Sequence, residues 1–103
     1  MNIDSTLNQR GNRYGEFDEH ARITQAIKKA MTTGRNWDTL PDDMKESLEM
    51  IAHKVGRILN GDPLYHDSWH DIIGYTKLVE SRLDPNELTL APKGEITGEI
   101  RLQ

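Results

Sequence analysis

The sequence predicts an all-α protein: a small antiparallel helical bundle of three main helices followed by an extended C-terminal tail. Two observations carry that prediction. Apolar residues recur every three or four positions in three separate stretches, the period of an amphipathic helix. Pro, Gly, Asp and Asn, the residues that start and stop helices, bound those stretches.

Residues 1–16 are polar and rich in Asn and Gly, which predicts a loop or a short helical turn. The first helix is expected over about 18–33, where Ile23, Ala26, Ile27, Ala30 and Met31 form a stripe, with Asp18 as N-cap and Gly34 as stop. A loop follows over Asn36–Leu40, and Trp37 is expected to pack inward. The second helix begins at Pro41, whose missing N–H is harmless in a first turn. Asp42, Asp43 and Glu46 suit the positive end of its dipole. Met44, Leu48, Ile51, Ala52, Val55, Ile58 and Leu59 then make an apolar stripe over four turns, ended by Asn60-Gly61 and the turn Asp62-Pro63.

The third helix is expected over about 68–83, capped by Asp67 or Ser68 and closed by Asp84-Pro85. Its main stripe is Trp69, Ile72, Ile73, Val79 and Leu83, while Gly74, Tyr75 and Leu78 fall opposite, together with Asp67 and Asp71. Apolar residues on two faces mark a helix that is central or that meets a second subunit. Residues 1–83 therefore read as one helical domain and 84–103 as a tail or arm. From Glu95 to Leu102 the tail alternates polar and apolar residues, as a strand does.

A chain of 103 residues, 35% hydrophobic and 29% charged, can build one small domain with a thin core. Self-association stabilises such a chain, so a homo-oligomer is expected. No apolar run approaches the ~20 residues that span a bilayer. Met1-Asn2-Ile3-Asp4-Ser5 lacks the basic and apolar regions of a signal peptide. Both features predict a cytoplasmic protein with no membrane partner. Zero cysteines exclude a disulfide framework, a thiolate zinc site and a cysteine nucleophile.

The formal charge of −4 argues against duplex nucleic acid, which needs a continuous basic face. The charge is uneven, however. Residues 8–35 hold six basic residues against three acidic ones, and residues 36–50 hold five acidic against one basic. A small anionic ligand needs only a few converging cations, and this chain can supply them.

Three constellations can carry chemistry. Glu46, Glu49 and His53 follow an E-x-x-E-x-x-x-H spacing that aligns three metal-competent groups on one helix face. That face lies opposite the apolar stripe and reads first as a solvated surface; it becomes a metal site only where another subunit covers it. In His66-Asp67-Ser68-Trp69-His70-Asp71, Asp67 and Asp71 are one turn apart, a spacing that can hold Mg²⁺, and the two histidines one that can hold Zn²⁺. The plainer reading makes Asp67 a cap and Asp71 the partner of a cation. Arg10, Arg13, Lys54 and Arg57 form the third set: guanidinium forks and an ammonium suited to phosphate, or else ordinary surface charge with an ion pair to Asp71. Tyr14 and Tyr75 could stack a nucleobase, whereas Phe17 and Trp69 read as core.

Arg13-Tyr14-Gly15-Glu16-Phe17 and Glu19-His20-Ala21-Arg22-Ile23 resemble the opening of a family of small tailed-phage and prophage proteins of unknown function. The resemblance continues through Met50–Pro63 and Asp67–Tyr75 to Leu78-Val79, covering roughly residues 8–83. It implies a phage origin and brings no activity. The layout is also loosely similar to the all-α nucleoside triphosphate pyrophosphatases of the MazG kind. Those carry an E-x-x-E pair on one helix and an E-x-x-D pair on the next, around Mg²⁺. Glu46 and Glu49 would match the first pair and Asp71 the final Asp, but Ser68 stands where the second Glu belongs and Asp67 is one residue displaced.

Three functions follow as expectations. The first is a phage-encoded nucleotide-binding protein without turnover, holding a host signalling or defence nucleotide through Arg10, Arg13, Tyr14, Lys54, Arg57, Asp71 and Tyr75. The second is a Mg²⁺-dependent pyrophosphohydrolase with Glu49, Asp67 and Asp71 as metal ligands. The third is a protein-binding inhibitor of a host enzyme, acting through the acidic 38–49 segment.

Overall fold

In the computed structural model, which describes residues 2–83, every regular element is helical. The order is α1 (Ile3–Tyr14), α2 (Phe17–Met31), a 3-10 turn (Trp37–Thr39), α3 (Asp42–Asn60) and α4 (His66–Glu80). The tail over 84–103, with its expected strand and the Asp84-Pro85 stop, lies outside the described residues.

α1 replaces the loop expected over 1–16. Asn2 caps it by accepting from the Asp4 N–H at 2.8 Å, Asp4 sits in the first turn and Arg13 in the last. Capping and dipole complementarity favour this helix, and none of its residues is buried. A search for apolar periodicity therefore passes over it. It ends at Gly15, whose φ of +84° suits glycine and whose N–H bonds back to the Gly11 carbonyl at 2.9 Å.

α2 starts at Phe17 with Glu16 as N-cap; the Asp18 carboxylate accepts only from its neighbour Glu19, and the helix ends at Met31 with Thr32 as C-cap, before Gly34. α3 begins and ends as expected, between Pro41 and Gly61. α4 starts at His66, so the expected caps Asp67 and Ser68 both fall inside the helix, and Ser68 is buried.

Cross-contacts fix the arrangement. From one end of the α3–α4 seam to the other, Asp43 meets Arg82, the Ser47 hydroxyl donates to the Tyr75 carbonyl at 2.8 Å, and Lys54 meets Asp71 at 2.9 Å. Rising numbers on one helix pair with falling numbers on the other, so the two run antiparallel. Between α2 and α3, Asn60 at the end of α3 reaches Glu16 at the start of α2, while His20 and Thr24 further along α2 meet His53 and Gly56 further back in α3, so these two also run antiparallel. At 3.6 residues per turn, Ser47 and Gly56 lie about 180° apart around α3. α3 thus holds its two neighbours on opposite flanks, and α2 and α4 scarcely touch. The three helices form one layer.

This corrects the expected core. Among the described residues Ala52 is the one fully buried apolar side chain, and the other buried side chains are His20, Thr24, Ser47, Lys54 and Ser68. The stripe of α3 centres about 90° from both seams. It therefore covers a free side of the layer, and Leu48 and Leu59 are 41% and 65% exposed. Phe17 and Trp69, expected inside, are also exposed, and Trp69 is held locally by its indole N–H on the Pro63 carbonyl at 2.8 Å. The face of Glu49 and His53 is not simply solvated, because α2 packs against it through His53.

Candidate functional site

The α1–α2 turn sits on the C-terminal end of α3 because polar groups of that end hold it. Asn60 Nδ2 donates to the carbonyls of Tyr14 at 3.0 Å and Glu16 at 2.9 Å, and the Asp62 N–H donates to the Arg13 carbonyl at 2.8 Å. A side chain at Gly15 would run into Asn60. These contacts leave a cleft of about 520 Å³ between α1, the start of α2 and one flank of α3. Arg10, Asn8 and Asn12 enter it from α1, Tyr14 and Phe17 from the turn, His20 from α2, and His53 and Arg57 from α3.

Cations and rings are layered at its edge. The Arg57 guanidinium lies 4.0 Å above the centre of the Tyr14 ring. Tyr14 meets Tyr65 edge-on, with centroids 6.0 Å apart. Arg13 stacks on the far ring at 4.4 Å and donates to the Tyr65 hydroxyl at 3.2 Å. Tyr65 in turn donates to Asp67 at 3.0 Å, a bond that raises the phenol's pKa.

Deeper in the cleft two imidazoles meet. His20 Nε2 and His53 Nδ1 are 3.3 Å apart, with the rings nearly perpendicular, and Thr24 Oγ1 lies 3.4 Å from the same His20 nitrogen. His20 Nδ1 is buried without a hydrogen-bond partner. Burial lowers the pKa of both rings. For His53 the charges of Arg57 and His20 add to it and bring the value to about 4. For His20 the Gly56 backbone opposes the shift, while Arg57 and Lys28 reinforce it. Both rings are therefore neutral at pH 7, each able to donate from one nitrogen and accept at the other.

The residues expected at the site divide into two groups. Arg10, Tyr14 and Arg57 line the cleft. Lys54 and Asp71 do not: they form an ion pair in the α3–α4 seam, which lowers the pKa of Asp71 mainly through the Lys54 hydrogen bond. Tyr75 stands in that seam and offers its backbone carbonyl to Ser47. Arg13 faces Tyr65, not the cleft. The single pocket expected from Arg13, Lys54 and Asp71 is thus not formed, because Lys54, once buried, needs the nearest carboxylate.

The expected metal set of Glu49, Asp67 and Asp71 is not assembled either. Asp71 is held by Lys54 and Asp67 by Tyr65, and no three His, Asp or Glu side chains among the described residues converge on one point. His66 and His70 stack at 5.4 Å on the exposed side of α4. Sequence reasoning missed His20, Asn8, Asn12 and the clasp residue Asn60. Gly56, a helix-weakening residue inside a strong helix, was the available signal of a close approach there.

No protein-family model matches the chain, and no curated protein or solved structure is significantly similar to it. The resemblances to phage proteins and to MazG-type enzymes rest on the residues quoted for them alone. No helix among the described residues is long and apolar enough to cross a membrane.

Proposed function

We propose that the protein binds a small phosphorylated ligand of the nucleotide class in the α1–α2–α3 cleft, and holds it without turnover. The observation that carries this reading is the composition of the cleft wall: Arg10 and Arg57 from two different helices, the rings of Tyr14 and Phe17 beside them, and the Asn8 and Asn12 amides on the same side. Two guanidinium groups suit a phosphate, flat rings suit a base, and amides and neutral imidazoles suit its edge. Holding without turnover is the second half of the proposal, and the Mg²⁺ and product arms of the experiment below test it separately from binding. In keeping with the motif resemblance, the reading places the protein in a phage-infected cytoplasm, sequestering a host signalling or defence nucleotide.

Thermal shift of the full chain against a panel of nucleoside mono-, di- and triphosphates and cyclic nucleotides, with and without Mg²⁺, tests it. A ligand at ten times its Kd stabilises the fold by about 1.4 kcal/mol, several degrees for a domain of this size. The expected result is a Mg²⁺-independent shift, no product, and loss of the shift in Arg57→Ala. A shift that needs Mg²⁺ and releases pyrophosphate replaces this reading with the hydrolase. No shift from any nucleotide overturns both and leaves the protein-binding inhibitor.

A further inference from the structure

The layer has two unlike sides. The cleft opens on the flank of α3 that carries His53 and Arg57. Leu48 lies about 180° around the helix from Arg57. On that opposite side stand Leu48 and Leu59 of α3 with Trp69 and Ile73 of α4, which are 41%, 65%, 53% and 65% exposed. Between the two helices the same side is grooved by a cavity of about 360 Å³, lined by Leu48, Ile51, Val79 and Leu83 among others. Ile23 and Ile27 continue the side onto α2, since His20 and Thr24 of that helix face α3 and Phe17 faces the cleft.

We infer that this side is a homotypic interface: a second copy of the chain packs against it, apolar side to apolar side, with the two clefts turned outward. The core is thin: among the described residues Ala52 is the one buried apolar side chain, and Ile51, Val55 and Ile58 of the same stripe are half-buried. A second copy against this side adds apolar burial that one layer of three helices lacks.

The side is also large enough to hold a second copy. Helices of 15 residues are about 22 Å long, and three of them spaced about 10 Å apart present roughly 600 Å² in projection. That is the size class of stable interfaces, which bury about 800 Å² of accessible surface per partner.

Ile73 and Leu78 make a matched test, because they share α4, have similar exposure and point to different flanks of it. Light scattering of the full chain should give twice the 11.8 kDa of one copy, with a Tm that rises with protein concentration. Ile73→Glu should halve the mass, whereas Leu78→Glu should leave it unchanged.

Should Ile73→Glu fail to fold, single-cysteine variants decide, since the chain has no cysteine of its own. A short bis-maleimide should join Ile73→Cys into a covalent dimer and leave Leu78→Cys single. A wild-type mass of 11.8 kDa at every concentration overturns the proposal and assigns the side to residues 84–103 or to a different protein. So does an assembly that crosslinks through Leu78→Cys and not through Ile73→Cys.

Discussion

The two seams of the layer solve one problem in different ways. Each brings a polar group of α3 out of water against a neighbouring helix. The α3–α4 seam does it with charge: Lys54 is almost wholly buried and is met by Asp71, which stays nearly half exposed. The α2–α3 seam does it with neutrality and closeness: burial keeps His53 and His20 uncharged where they meet, and Gly56 lets α2 approach. An ion pair tolerates a wide separation but needs both members. A close-packed neutral seam needs no partner charge but has no room. The two should therefore fail under different insults.

The largest effect is expected from adding one methyl group. A Cβ at Gly56 would overlap Thr24 Oγ1 and stand 3.0 Å from His20 Nδ1, while a Cβ at Gly74 would meet nothing within 4 Å. Gly56→Ala should cost about 1–3 kcal/mol, on the order of 5–20 °C in Tm. Gly74→Ala should be neutral or stabilising by up to about 1 kcal/mol through helix propensity alone. Equal melting temperatures for the two variants would remove the distinction between a packed and an open flank.

Next comes an asymmetry within the ion pair. Asp71→Asn leaves a buried ammonium without its carboxylate, whereas Lys54→Met leaves a carboxylate that water can reach. Thermal melts should show the larger loss for Asp71→Asn, and the reverse order would mean that Lys54 is solvated in the folded state.

Acid separates the seams by pH. His53 has a folded pKa of about 4 against an ordinary 6.5, so the unfolded chain binds protons that the native state refuses. Its contribution is complete above pH 6.5 and fades as pH falls toward 4. Asp71 is lowered from an ordinary 3.8, so its contribution survives that window and fades only below it. Amide hydrogen exchange at pH 5 should quicken along α2 while α4 keeps its protection; parallel acceleration in both helices would contradict the division.

The smallest effect belongs to Asp43→Asn. Arg82 holds Asp43 and lowers its pKa, but both side chains are well exposed, so its Tm should differ little from wild type.

The helices of the layer are legible in the sequence because each carries its own local signals. α3 has Pro41 before an acidic first turn and Asn60-Gly61 at its end, and the folded chain uses them where they stand. α1 is not legible by periodicity, since a helix supported by its caps and charges has no apolar stripe to read. Half of the cation set was legible as well: an Arg near a Gly-containing turn and an Arg on the far side of a helix stripe both reach the cleft. Lys54 looked like a ligand group on the same grounds. Whether a lysine binds a guest or a neighbouring aspartate depends on which helix buries it, and no local pattern encodes that.

Charge, the lack of cysteine, the helical periods and the punctuation between them are properties of short stretches, and the sequence alone determined them because local sterics and polarity act within a few residues. The side of α3 that faces a neighbour, the meeting of His20 with His53, and the exposure of the Leu48–Leu59 stripe were decided only by tertiary structure. They depend on how closely two helices can approach, and the glycine at 56 that permits the approach is recognisable as such only once Thr24 and His20 stand opposite it.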